Sequence, residues 1–233
     1  MKISFTIFLV SLIAVFIFYN SILKSGSDFN TSKGNTAQQN NINGTITKTD
    51  REIMDKARSD ISLFLRQIPA GCENLYGFEN HSEFSLADVG IPFQLCTITP
   101  SKLENPEKNF TDNITMLNEW LVPVTVKGSF RTLLTVIKKN ENLETVNLGG
   151  ALLAKELEKY MQSLNSTEIK IILRQYQIES DFLISGEISG NITNANIYPL
   201  ESAKLSVGKK IIRDEAYKLS ELFPILHDKY FSK

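Results

Sequence analysis

The stretch WLVPVTVKGSFRTLLTVIKKNENLETVNL, residues 120–148, decides the fold class. Trp120 to Val126 alternates as a half-buried strand does, Lys127-Gly128 breaks the run, and Phe130 to Ile137 answers it. A second polar break, Lys138 to Asn142, precedes Leu143 to Leu148. Such runs separated by turn residues predict three antiparallel strands in a meander. Parallel neighbours need crossovers of a dozen residues or more, and these breaks are too short. Pro123 has no backbone donor, so its strand is expected at an edge or with that side unpaired.

On the C-terminal side, Gly149-Gly150 opens a helical pattern from Ala151 to Leu164. Leu153, Leu157, Tyr160, Met161 and Leu164 form its stripe, with Lys155, Glu156, Glu158 and Lys159 expected in water. Ile169 to Ile178 and Phe182 to Ile188 then read as a hairpin around Glu179-Ser180-Asp181. A polar turn over residues 189–196 leads to Tyr198-Pro199-Leu200. Lys210 to Phe231 carries a last helical stripe that Pro224 is expected to kink or interrupt.

On the N-terminal side, Pro100 to Met116 reads as a loop, Ile91 to Thr99 as a strand and Phe78 to Ala87 as a short helix. Before these, Thr49-Asp50-Arg51-Glu52 has the form of a capping box. Ile53, Met54, Ala57, Ile61, Phe64, Leu65 and Ile68 follow on one helical face, ended by Pro69 and Gly71 and expected to dock on the sheet. The predicted fold is therefore α+β, an antiparallel sheet of meander plus hairpin flanked by amphipathic helices. A helix on such a sheet resembles, in architecture alone, cystatin-like and PepSY-type extracytoplasmic domains, and implies no activity.

The chain begins with an uncharged run of 21 residues, Ile3 to Leu23, between Lys2 and Lys24. At 1.5 Å per residue this spans about 31 Å, a bilayer core, and no polar face marks it as a core helix. It predicts membrane insertion as a signal anchor or signal peptide over residues 1–24. Residues 19–25, which follow the run, hold no A-x-A cleavage site, and this favours the retained anchor. Residues 25–49 are rich in Gly, Ser, Asn, Thr and Gln and predict a flexible tether. Residues 50–233 form the expected extracytoplasmic domain.

Composition limits the function. The balance of 25 Lys+Arg against 26 Asp+Glu provides no basic footprint for nucleic acid. Cys72 and Cys96 are the only cysteines, and outside the cytoplasm they predict one disulfide, worth about 3.5 kcal/mol on loop-entropy grounds. They match no zinc spacing, and neither a metal site nor a cofactor motif is expected. Gly149-Gly150 lacks the Walker and dinucleotide patterns and reads as a tight strand-to-helix turn.

His81 between the cysteines, with Glu83 and Asp88, is the acid–base set an extracytoplasmic hydrolase would use. Glu79 lies one helical turn from Glu83, a spacing that also describes a solvated face. His227 beside Asp228 reads as a helix-terminal cation, and Trp120 as core. An exposed rigid loop near Cys96 to Met116 would mark a peptidase inhibitor. Seven N-x-S/T sequons, at Asn30, Asn43, Asn80, Asn109, Asn113, Asn165 and Asn191, could carry glycans on a eukaryotic secretory route. The leading expectation is a non-enzymatic binding domain, held to the membrane through Ile3–Leu23 or secreted, with an unknown protein or peptide partner.

Overall fold

The structure, a computed structural model, describes residues 46–108, 110–163, 169–186, 195–211 and 216–231. These belong to the unit Ile42–Lys233, and the Ile3–Leu23 run lies outside the described residues. Among the described residues no helix is long and apolar enough to cross a membrane.

The meander is present as β3 (Ile114–Val126), β4 (Ser129–Lys139) and β5 (Asn142–Gly149). Both turns have two residues at positive φ, Lys127 and Gly128 in the first, Asn140 and Glu141 in the second. Left-handed pairs of this kind match the strand twist and close tight hairpins. Trp120, Val122, Val124 and Val126 point to one face of β3, and Leu121 to the other.

Before the meander, β1 (Ala87–Val89) and β2 (Phe93–Ile98) pair end to end along the same edge of β3. Pro123 sits opposite the break between them, where its carbonyl accepts Gly90 N at 2.8 Å. In an antiparallel ladder a residue's N–H and C=O face the same neighbour, so the missing donor of Pro123 falls in this gap. A β-strand can therefore carry a proline in the sheet interior. The β2–β3 ladder is also irregular between Gln94 and Cys96, and the Gln94 side chain donates to Leu117 O at 3.1 Å there.

After the meander, Gly150, at φ 76°, turns the chain into α3 (Ala151–Ser163), introduced here with α1 (Lys48–Leu65) and α2 (Pro100–Glu104). Next come β6 (Ile169–Gln175), β7 (Ser180–Gly186), β8 (Asn196–Pro199), α4 (Glu201–Val207) and α5 (Leu219–Phe231). Among the described residues the strands form one eight-stranded sheet in the order β5-β4-β3-β2-β6-β7-β8, with β1 beside β3. It is mostly antiparallel. The exception is β2 on β6, which run parallel with Leu95 opposite Ile172. The outer edge of β8 is closed by Tyr217, whose N and O both bond Ile197.

Register places the layers. Gln94 is level with Trp120 on β3 and Ile171 on β6, and paired residues share a face. Trp120 packs under α1, and Ile171 packs with α2, α4 and α5. These helices therefore cover the two ends of one face. On the opposite face α3 buries Ala154 and Leu157 against Leu121, Leu133, Ile172 and Leu183.

Several boundaries differ from expectation. The capping box is Thr47 with Asp50, two residues earlier than Thr49 with Glu52, because the Thr47 side chain accepts Asp50 N and the Asp50 carboxylate accepts Thr47 N, both at 3.0 Å. α2, with Pro100 in its first turn, occupies the expected loop and buries Leu103. The final helix starts at Leu219, not Lys210, and α4 precedes it unforeseen. Pro224 lies inside α5, on an exposed position where water can satisfy the carbonyl it frees. Glu156 and Glu158 of α3 are half-buried, not solvated. Glu158 accepts Phe130 N, and Glu156 accepts Glu201 N.

The segment after α1 folds over β4. A Cβ at Gly77, at φ 83°, would stand 2.1 Å from the Arg131 carbonyl oxygen. Clash and left-handed strain act together, so Gly77→Ala is expected to cost at least about 2 kcal/mol. Chemical denaturation checks this, and an unchanged midpoint would contradict the packing.

Candidate functional site

Arg131 is the extra residue of a bulge on β4, since Val124 pairs with Thr132 and Thr125 with Phe130. Its guanidinium meets Glu83, carried on the 3₁₀ turn His81–Leu86, with Nη2 to Oε1 at 2.6 Å. The other Glu83 oxygen accepts Glu79 N at 2.8 Å, and Glu79 itself lies 3.6 Å from Arg131. Burial works to raise the Glu83 pKa, but the Glu79 N–H and Arg131 outweigh it and hold the carboxyl below its ordinary value. Glu83 is thus a fixed anion that ties this turn to the sheet.

His81 and Asp88 do not join it. The His81 side chain is 72% exposed, 3.8 Å from Glu73 and stacked at 4.5 Å on Phe84. Asp88 accepts Val89 N at 2.8 Å and Arg58 Nε at 3.0 Å, which lower its pKa in that order and fasten β1 to α1. The three nominated residues therefore have three separate partners. His227 lies beside Asp228 at 3.6 Å, near the end of α5. Asn80 caps the His81–Leu86 turn and is exposed, whereas Asn113 is fully buried and bonds Glu107 N at 2.8 Å. The other five sequons lie outside the described residues. Between Cys96 and Met116, Leu103 and Asn113 are buried, and residues 104–108 between them are exposed.

The disulfide expectation is corrected. Cys72 and Cys96 are both free. Cys72 packs, half-buried, at the end of α1, while Cys96 is fully buried on β2 among residues of the α5 cluster. Cys96 packs in the cluster under α2, α4 and α5, and Cys72 in the cluster under α1, at the two ends of that face. Burial pushes its thiol up to about 12, so Cys96 serves as a small apolar side chain.

One constellation was not foreseen. Arg174 and Asp181 are cross-strand partners at the β6–β7 turn and form a bidentate pair at 2.8 and 3.1 Å. Arg174 also lies 6.0 Å from the Tyr176 ring centre, and Tyr176 Oη donates to Glu119 at 3.1 Å. Burial, then the Glu119 charge, raise the Tyr176 pKa. Nearby, Glu156 holds Glu201 N with both oxygens, at 2.9 and 3.1 Å. Burial is the main cause that raises its pKa, with Glu201 and Asp181 adding to it. The network clamps the hairpin to β3 and α4 to α3. Its sequence signal was an opposite charge pair, Arg174 and Asp181, flanking the hairpin turn.

Two surface depressions lie among the described residues outside these networks. The smaller, about 420 Å³, reaches Trp120 between α1 and the β4–β5 turn. Trp120 is only 5% exposed, and the flanking lysines are paired, Lys56 with Asp60 at 3.0 Å and Lys138 with Glu141 at 2.6 Å. The larger, about 710 Å³, is broad and open, with Ile178, Glu179, Ser202, Leu205, Lys229 and Tyr230 among its lining. Glu179 and Lys229 have no partner among the described residues. Glu179 also holds a left-handed backbone, φ 48°, which costs a non-glycine residue about 1 kcal/mol. Ser202 is engaged by Asp181 N at 2.9 Å, and Ser206 by Ser180. Among the described residues no group of three His, Cys, Asp or Glu side chains is gathered to hold a metal ion. No protein-family model, curated protein or solved structure matches the chain.

Two outcomes are expected. Because the folded pKa of Glu83 lies below its ordinary 4.5, its stabilisation is complete above that pH and is lost as pH falls through the folded value. Glu83→Gln should cost about 2 kcal/mol at neutral pH, a deficit that shrinks below pH 4.5 in denaturation curves taken across pH. A constant deficit would argue against the ion pair. For the thiols, native alkylation followed by mass spectrometry should give one adduct, at Cys72, and a second only after denaturation. Protection of both by oxidation would reinstate the disulfide.

Proposed function

We propose that the chain is a binding module, membrane-tethered or secreted, with the folded body displayed outside the cytoplasm. The location is supported by the charge-free run Ile3–Leu23 and the polar stretch that follows it. Among the described residues the first element is the capped helix α1.

The observation that carries binding over chemistry is the contrast between two kinds of charged group. Glu83, Asp88 and Asp181 are spent on cations or main-chain donors that hold elements together. Glu179 and Lys229 instead line an open surface and remain uncommitted among the described residues. Fixed charges of the first kind resist proton transfer, and free rim charges of the second kind select partners.

Location is checked with a single reporter thiol. In a Cys72→Ser background, Leu152→Cys places a thiol on a residue that is 85% exposed. In intact cells a maleimide that does not cross the cytoplasmic membrane should label it, and the chain should stay in the membrane pellet unless Ile3–Leu23 is cleaved. Labelling that requires lysis would refute the location.

A further inference from the structure

We infer that the open depression between the β6–β7 turn, α4 and α5 docks a peptide segment of a partner protein. That segment presents an aliphatic, a basic and an acidic side chain. The inference rests on the binding-module reading and adds where the partner sits and what it carries.

Leu205 is the first reason. It is 76% exposed at the middle of α4, while its neighbours Ala203 and Val207 are buried in the core beneath. Leu205 therefore contributes nothing to that core and offers apolar surface to the depression it lines. Tyr230, half-buried against the same core, lies on the depression from α5, and tyrosine is among the residues enriched where interfaces concentrate their affinity.

Charge complementarity is the second reason. Glu179 and Lys229 both line this surface, on the turn and on α5, and neither has a partner among the described residues. In the smaller depression the lysines are already paired. A segment with one positive and one negative residue satisfies both rim charges, while a uniformly charged partner would satisfy one and repel the other. Glu179 is placed by a left-handed turn closed by its N–H to Tyr176 O at 3.3 Å, so its carboxylate is presented from a defined backbone position.

Shape selects the occupant class. Small-molecule sites enclose most of their ligand, and a broad open depression of about 710 Å³ does not. A chain lying across the surface needs no enclosure. The acid on the rim and the near-neutral balance of 25 basic to 26 acidic residues disfavour nucleic acid.

The test is selection of a random displayed-peptide library on the full chain in detergent micelles, followed by affinities of the selected peptides for variants. Glu179, Leu205 and Lys229 are exposed, so Glu179→Lys, Leu205→Asp and Lys229→Glu should fold, which circular dichroism confirms. Selected peptides should be enriched in sequences that combine a basic, an aliphatic and an acidic residue, and lose about tenfold in affinity on each variant. The double variant Glu179→Lys with Lys229→Glu should prefer the charge-exchanged peptide. Peptides that bind all variants equally would overturn the site and leave the binding module standing. Self-association abolished by Leu205→Asp, without peptide enrichment, would assign the surface to a second copy and overturn the peptide inference. No selectable binding and no self-association would remove both readings.

Discussion

The rest of the molecule hangs on β2. Along one edge it runs antiparallel to β3, and along the other it runs parallel to β6, so among the described residues its main chain links the meander to the C-terminal hairpin in the sheet. Its side chains serve both faces, with Leu95 buried beneath α3 and Cys96 and Ile98 buried towards α5. The seam continues past the strand through the Gln175 side chain, oriented to donate to Ile98 O at 3.1 Å and accept Ile98 N at 2.8 Å. A parallel pair requires a long crossover, and here the meander and α3 supply it.

Around this seam, ionisable side chains act as fasteners. Arg131 emerges at a bulge and meets Glu83 on a turn far away in sequence. Arg174 meets Asp181 across a hairpin, and Glu156 reaches from α3 to the first residue of α4. A buried pair of this kind adds little net stability over an apolar pair, but removing one partner is costly because it strands the other. Such pairs specify which turn meets which strand. For Glu83 the lowered pKa also leaves the carboxylate a weak proton acceptor.

The surface treats charge differently. Where α4 and α5 flank the hairpin turn, an aliphatic residue and two opposite charges lie on open ground, and the core beneath is already complete without them.

How much of this was legible follows the range of the physics. The meander, its turns, α1 and α3 were readable because strand alternation, left-handed turn residues and helical stripes are set by neighbours within a few positions. The capping box was legible in kind and misplaced by two residues, since Thr47-x-x-Asp50 and Thr49-x-x-Glu52 offer the same chemistry and packing of Ile53 and Ala57 chose between them. α4 was missed because seven residues carry too few turns for a stripe. The acid–base set dissolved because spacing along a chain cannot say that Glu83 faces Arg131 while Asp88 faces Arg58.

By itself, then, the sequence determined the local elements, the α+β class and the charge-free run at Ile3–Leu23, all of them properties of contiguous residues. Tertiary structure alone decided the parallel seam, the two free thiols and the depression around Leu205. Each of these depends on register between distant segments, Leu95 beside Ile172 or Glu179 near Lys229, and register is set by burying both faces of the sheet at once.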